Sequence, residues 1–190
     1  MVGLRWALIV MGLGLALAGC GDDENTTVTA TPPATQAQTA TPPTTPTAAA
    51  EPQVIEVQRG IGSATLEMSE AQVKQALGEP LRADQLTNDT GPYTELTYPD
   101  GLTVAFQRGG SFKGGASSFF VKGTGPRTAE GVGVGSSEAE VVAGVDGAKC
   151  EVVAGKRLCH VGEFKAGATV TEFQIDGGRV THVRVARVGN

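Results

Sequence analysis

An α+β fold is what the sequence predicts for residues 54–190: two tandem repeats, each a short helix packed on an antiparallel β-meander. Three observations predict it. A helix-start pentad recurs, Ser69-Glu70-Ala71-Gln72-Val73 matching Ser137-Glu138-Ala139-Glu140-Val141 at an offset of 68. A glycine-rich lead precedes each copy, Gly60-Ile61-Gly62 in one and Gly131-Val132-Gly133-Val134-Gly135 in the other. Strand-like runs separated by turn signals follow each copy. Helices segregated to one face of an antiparallel sheet define the α+β class, and the repeats fall at 54–125 and 126–190.

The chain ahead of the repeats reads as two processing and spacing segments. Arg5 is the sole charge in the first 20 residues, and Trp6 to Ala18 is an apolar run. That run is too short for a stable membrane span and suits a signal-peptide core, so 1–19 is predicted to be a signal peptide. It ends Leu17-Ala18-Gly19-Cys20. This resembles the bacterial lipobox, in which two small residues precede a cysteine that is diacylated and becomes the mature N-terminus. The resemblance implies lipidation at Cys20 and attachment to the extracytoplasmic side of a bacterial membrane. Two acyl chains hold a protein to a bilayer far more firmly than one, at about 0.8 kcal/mol per buried CH₂.

Residues 20–53 are predicted to be a disordered tether. From 22 to 53 there are 10 Thr, 7 Ala and 6 Pro, no aromatic residue and no base. Such a composition cannot bury enough apolar surface to offset the entropy of ordering. Pro32-Pro33 and Pro42-Pro43 favour polyproline II, which sets an upper reach of roughly 100 Å at ~3.1 Å per residue. Threonine O-glycosylation is compatible with this composition.

The first repeat has a well-marked helix. Ser69 is a good N-cap, Gln72 stands at N3 to complete a capping box, and Met68 and Val73 occupy the positions of a hydrophobic staple. Val73, Ala76 and Leu77 make an i, i+3, i+4 stripe, and Gly78 with Pro80 stops the helix. Strands are expected at 94–98, 102–107 and 118–121, the first two joined by Pro99-Asp100-Gly101. In the second repeat, Ser137 and Glu140 repeat the capping box. This helix is weaker, because Val141 and Val142 are β-branched and Gly144 costs about 1 kcal/mol against alanine. Ser136 stands ready as a substitute cap, so Ser69 is expected to matter more than Ser137. Strands are expected at 150–153, 157–161, 169–175 and 180–188, with Asp176-Gly177-Gly178 turning the last hairpin.

Gly60-Ile61-Gly62, Leu66-Glu67-Met68-Ser69, Val73 and Leu77-Gly78-Glu79-Pro80 together resemble the small repeat of the BamE (SmpA/OmlA) outer-membrane assembly lipoproteins. They are also similar to the tandem repeats of β-lactamase-inhibitor protein (BLIP). The second repeat shares the capped helix and adds a cysteine pair and a closing Phe173-Gln174-Ile175-Asp176-Gly177-Gly178-Arg179-Val180 hairpin. It has Val145-Asp146-Gly147-Ala148 in place of the Leu-Gly-x-Pro exit, and the first repeat has no cysteine pair. The resemblance implies a protein-binding or envelope-scaffold role without catalysis. It implies no particular partner.

Charge and chemistry point the same way. Lys and Arg number 15 against 20 Asp and Glu, for a net charge of −5. A nucleic-acid binder would need a basic stripe to track phosphates, so no nucleic-acid partner is expected. With Cys20 lipidated, Cys150 and Cys159 form an even pair in an exported protein. A two-residue turn at Ala154-Gly155 sets Val153 against Lys156 and, three pairs on, Cys150 against Cys159. That pair is non-hydrogen-bonded, and its close Cα spacing suits a disulfide.

The rival zinc site, Cys150, Cys159, His160 and His182, lacks any C-x₂₋₄-C or H-x₃₋₅-H spacing. On a strand Cys159 and His160 point to opposite faces, which also defeats a Cys–His nucleophile. Both histidines are expected on the strand surface. The run from Gly131 to Ser136 lacks the third glycine of a dinucleotide fingerprint. No metal, cofactor or catalytic residue is therefore expected. Phe106, Phe119, Phe120, Phe164 and Phe173 are expected in the core, and Tyr93 and Tyr98 suit core or interface. The loop from Arg108 to Gly115 reads as a long strand connection or a partner contact.

The expected protein is thus a non-catalytic binding or scaffold module. Its two sheets would lie side by side as one broad concave face. An inhibitor of, or sensor for, a secreted or wall-associated enzyme is the second reading, and an enzyme the third.

Overall fold

The computed structural model describes residues 53–189 other than 110, 111 and 113. The signal segment, the lipobox with Cys20 and the tether as far as residue 52 lie outside the described residues. So do three residues of the loop after Gln107.

The chain runs β1 (Ile55–Glu56), β2 (Gly60–Ile61), β3 (Ala64–Thr65), α1 (Glu70–Leu77), β4 (Arg82–Asn88), β5 (Gly91–Thr97), β6 (Leu102–Gln107) and β7 (Ser118–Val121). It continues α2 (Glu138–Gly144), β8 (Lys149–Val153), β9 (Lys156–Val161), β10 (Thr169–Asp176) and β11 (Arg179–Arg187). A helix followed by four antiparallel strands therefore occurs twice. The strands do not make two sheets. They join in one of order β4-β5-β6-β7-β11-β10-β9-β8, in which the last strands of the two sets, β7 and β11, pair at the centre.

Alternation decides which face is buried. Leu96 on β5, Leu102, Val104 and Phe106 on β6, Phe119 and Val121 on β7, Val183 and Val185 on β11, and Phe173 and Ile175 on β10 are each at most 5% exposed. They share one sheet face, because a strand's side chains repeat every two residues. Val73 of α1 and Val141 of α2 join that cluster, as do Ile55, Ile61 and Ala64 of the small sheet β1-β2-β3. Both helices and the small sheet thus lie on the same side of the large sheet.

Two stretches escape a sequence reading. β4, Arg-Ala-Asp-Gln-Leu-Thr-Asn, is an exposed edge strand with a single half-buried residue, Asp84. An edge strand with little apolar surface to bury shows no alternation. β5 starts earlier than expected, at Gly91 and Pro92, which read as breakers. Pro92 faces Thr87 there, and Asn88 Oδ1 accepts from Thr90 N–H to close the hairpin. The small sheet is made of two-residue strands, below the length at which periodicity shows. Its tightness depends on Gly60, where a Cβ would fall 2.0 Å from the Ala64 carbonyl oxygen.

Both capping boxes form. The Ser69 hydroxyl accepts from Gln72 N–H while Gln72 Oε1 accepts from Ser69 N–H at 2.9 Å; Ser137 and Glu140 do the same, with Glu140 Oε2 2.6 Å from Ser137 N. Ser136 is not a spare cap. It is buried, and its hydroxyl already accepts from Gly133 N–H at 3.2 Å. The α2 start is also anchored to β11, since Val180 N–H donates to the Ser136 carbonyl and Arg179 Nη1 to the Gly135 carbonyl. The asymmetry expected from the sequence is therefore corrected. Gly144 is likewise more than a weak helix residue, because a Cβ there would stand 2.8 Å from Val132 Cγ2 in a buried contact.

Ser69→Ala and Ser137→Ala should each cost about 0.5–2 kcal/mol, with Ser137→Ala at least as costly. Thermal unfolding followed by circular dichroism checks this, and a Ser137→Ala protein with the parent's midpoint would contradict it. The Ser137 backbone N–H, then its hydroxyl, hold the Glu140 carboxyl below its usual range. A carboxylate depressed in the folded state contributes stability above its unfolded pKa and loses it as pH falls. The penalty of Ser137→Ala should therefore shrink in acid.

Candidate functional site: the open face of the sheet

The face opposite the core carries no helix among the described residues. Register places the side chains on it. One row across the strands is Asp84, Glu95, Ala105, Ser118 and Ala186; the next is Arg82, Thr97, Thr103, Phe120, Arg184, Glu172 and His160. Leu86, Tyr93 and Gln107 form a third row towards the hairpin tips. Most of these side chains are half-buried, whereas Ala186 and Val170, its partner in the register on the same face, are at most 1% exposed.

A groove of about 500 Å³ runs over β5, β6, β7 and the end of β11, with Glu95, Arg184 and Arg187 as its charged lining residues. The small residues Ala105 and Ser118 floor it, Tyr93 and Gln107 stand on one side, and Thr103 and Phe120 on the other. Phe120 packs on the His182 ring at 4.7 Å, with Lys122 Nζ 5.4 Å from its own ring centre. Arg184 is paired with Glu172 at 3.1 Å. Desolvation, then the Lys122 charge, hold His182 below its usual pKa, which favours the neutral ring at physiological pH.

The two histidines part company. His160 is not on the surface. It is 6% exposed, with Nδ1 3.0 Å from the Gly162 carbonyl, Nε2 3.0 Å from Glu151 Oε1, and the Phe164 ring 4.8 Å away. Phe164 is correspondingly neither on a strand nor in the core; it lies in the loop between β9 and β10 and is 43% exposed. The loop covers the β9 end of the open face, and no strand periodicity in the sequence announces a loop aromatic that caps a histidine. β10 runs between His160 and His182, so they share no site. Phe106, Phe119 and Phe173 are in the core as expected, whereas Phe120 is on the open face.

Cys150 and Cys159 form the disulfide expected from the Ala154-Gly155 turn, on the register read from the sequence and with a Cα separation of 3.9 Å. Ala154 and Gly155 both take positive φ, 50° and 78°, as the hairpin twist requires. Among the described residues, Glu138 is the other ligand-type side chain close to these sulfurs. The disulfide removes both thiolates that a zinc site would use. The run from Gly131 to Ser136 forms a turned lead into α2, with Thr128 N–H donating to the Val132 carbonyl.

Tyr98 is on the core side, 2% exposed, and its hydroxyl has no partner among the described residues. Burial, and then the Glu79 and Glu70 charges, push the phenol up to about 12. A raised folded pKa contributes stability below the unfolded value of about 10 that disappears as pH climbs through the folded one. Tyr98→Phe should therefore leave stability at neutral pH unchanged or higher and reduce its loss between pH 10 and 12. Unfolding midpoints across that range check this; a midpoint at neutral pH clearly below the parent's would mean that the hydroxyl is bonded.

No protein-family model matches the chain, and no curated protein matches it in sequence. Solved structures similar to it include yfeY from Escherichia coli, with TM-score 0.44 and 18% identity over 70% of this chain and 100% of that one. A cysteine-rich secretory protein from Staphylococcus aureus has TM-score 0.40 and 14% identity over 71% of this chain and 48% of that one, so the chain spans about half its length. A “putative beta-lactamase inhibitor protein” from Streptococcus mutans has TM-score 0.28 and 15% identity over 66% of this chain and 85% of that one.

Proposed function

We propose that the chain is a bacterial envelope lipoprotein, anchored through Cys20, that binds another protein on the open face of its sheet and catalyses no reaction. The observation that carries this reading is the one-sided layering. Both helices and the small sheet cover one face, which leaves Tyr93, Phe120, Thr103 and their charged neighbours on the other. Aromatic residues set among half-buried polar ones are the composition of a protein interface. The lipobox at 17–20 supports the anchor, and the resemblance of the repeats to BamE and BLIP repeats supports a binding or scaffold role.

A photo-crosslinking residue placed at Thr103 in the full-length protein tests the binding face, with Val142 on α2 as the control position. Adducts from Thr103 and none from Val142 are expected; adducts from Val142 alone would overturn the assignment of the face. The anchor has its own test. Cys20→Ser should move the protein from the membrane fraction to the soluble one and remove the lipid mass. A variant that stays on the membrane would contradict it.

A further inference from the structure

β4 is one edge of the large sheet, and one side of its backbone is unspent. Tyr98 N–H donates to the Leu102 carbonyl at 2.8 Å, and Arg108 N–H to the Pro92 carbonyl at 3.0 Å. These bonds turn the backbone groups of the even-numbered residues of β5 towards β6, so Tyr93, Glu95 and Thr97 turn theirs towards β4. Their partners on β4 are Leu86, Asp84 and Arg82. Ala83, Gln85 and Thr87 therefore aim their N–H and C=O groups away from the sheet, where no strand among the described residues meets them.

Such an edge recruits another strand unless something blunts it, and lysine, proline, a bulge or a short strand are the usual devices. β4 has none of them. It runs seven residues without lysine or proline, and its register with β5 is continuous from Arg82 to Asn88. Its two charges, Arg82 and Asp84, neutralise each other at 2.6 Å. The opposite edge, β8, runs five residues, includes Lys149, and turns only Cys150 and Val152 outward.

Symmetry decides what fits β4. Its three outward residues are spaced evenly about Gln85, the middle of the strand. A two-fold axis through Gln85 sets that residue against Gln85 of a second copy, and sets Ala83 against Thr87 on either side. Each of these three pairs exchanges two backbone bonds, so every outward group is satisfied. The side chains agree. Asp84 falls opposite Leu86 and Arg82 opposite Asn88, so no like charges are directly opposed. Leu86, 39% exposed, lies diagonal to its own copy and to the stem of that copy's Arg82. Asp84 is also diagonal to its copy, each carboxylate being held by its own Arg82. Other axes do worse. Through Asp84, two carboxylates stand face to face. Through Leu86, Ala83 meets Asp89 in the hairpin turn. Through Ala83, Arg82 gains Asp84, but Gln85 meets Leu81, whose N–H is already donated to the Thr97 carbonyl.

We infer that two copies of the chain pair through β4 as a two-fold dimer, antiparallel about Gln85. The two eight-stranded sheets become one, and their open faces adjoin on the same side. The dimer does not depend on what the open face binds.

The test uses the full chain with Cys20→Ser, which removes the one cysteine outside the disulfide. As concentration rises, the backbone amides of Ala83, Gln85 and Thr87 should exchange more slowly, while those of Cys150 and Val152 stay unchanged. Sedimentation should show a monomer–dimer equilibrium over the same range. Gln85→Pro should weaken the dimer at least about tenfold, because it removes two interchain donors. Its fold should survive, since the Gln85 N–H makes no bond to β5 and proline is tolerated at such edge positions. Cross-linking reads the register. Oxidised Gln85→Cys chains should link to one another, and Ala83→Cys chains should link to Thr87→Cys chains and not among themselves. The amide series and the cross-links decide the matter even where Gln85→Pro fails to fold.

A chain still monomeric at about 1 mM would overturn the inference. So would protection that rises at Cys150 and Val152 instead, a folded Gln85→Pro chain that dimerises as the parent does, or Ala83→Cys chains linked among themselves.

Discussion

Phe119→Ala should cost about 3–5 kcal/mol, the range for emptying a large buried aromatic site. Phe119 is fully buried on β7, the strand that joins the two sets of four. Val104 of β6 and Val185 of β11 face it from either side, and the small sheet packs near β7 from above. A cavity there removes contacts across the central seam. Against a total stability of about 5–15 kcal/mol for a domain, the loss should bring unfolding close to working temperatures.

The adjacent Phe120 gives the contrast. It is half-buried on the open face, beside His182 and Lys122. Phe120→Ala should therefore cost much less stability while weakening partner binding. Chemical denaturation of both variants beside the parent measures the difference. Equal losses would mean that the two faces are equally buried in solution and would contradict the open-face reading.

Loss of the Cys150–Cys159 disulfide should cost about 2–4 kcal/mol. The bridge closes a loop of nine residues in sequence separation, on the hairpin β8–β9 at the end of the large sheet. Its effect should be uneven along the sheet. β8 has one sheet neighbour, so without the bridge it should open first, and Cys159, fully buried, would carry the disturbance into the core. Hydrogen exchange of the Cys150→Ala/Cys159→Ala protein should rise most in β8 and β9 and least in β5 and β6. Uniform acceleration would mean that the bridge acts on global unfolding alone. Two free thiols in protein isolated without reductant would contradict the bond itself.

The positions most legible in the sequence are those where several local signals agree. Ser69, Gln72, Val73 and Gly78 mark one short helix by cap, stripe and stop, and the structure has it at Glu70–Leu77. The Ala154-Gly155 turn sets the register of β8 and β9, and with it the cysteine pairing. In β6 the apolar residues Leu102, Val104 and Phe106 alternate with small or polar ones, and the boundaries of β6 and β7 agree to the residue. The site was less legible. Tyr93 and Phe120 could be named as aromatic strand residues, but which of Phe119 and Phe120 faces the core depends on the pairing of β7 with β6 and β11. Glu95, Asp84 and Gln107 gave no signal. Their relation is across strands, and one of those strands, β4, has no pattern of its own.

By itself, then, the sequence determined the α+β class, the two capped helices, the hairpin disulfide and the order of most strands. These depend on contacts within a few residues along the chain, or on a period of two or 3.6 that a short window reveals. Only the tertiary structure decided that eight strands make one sheet, that β7 and β11 meet at its centre, and that α1 and α2 cover the same face. It also decided that Phe164 shields His160 and that Ser136 is already engaged. The physical reason is range. A cap or a turn is satisfied by neighbours in sequence, whereas β7 and β11 are joined by pairs such as Phe119 with Val185, more than sixty residues apart. Their partners are chosen by the burial of a shared core, which no single segment encodes.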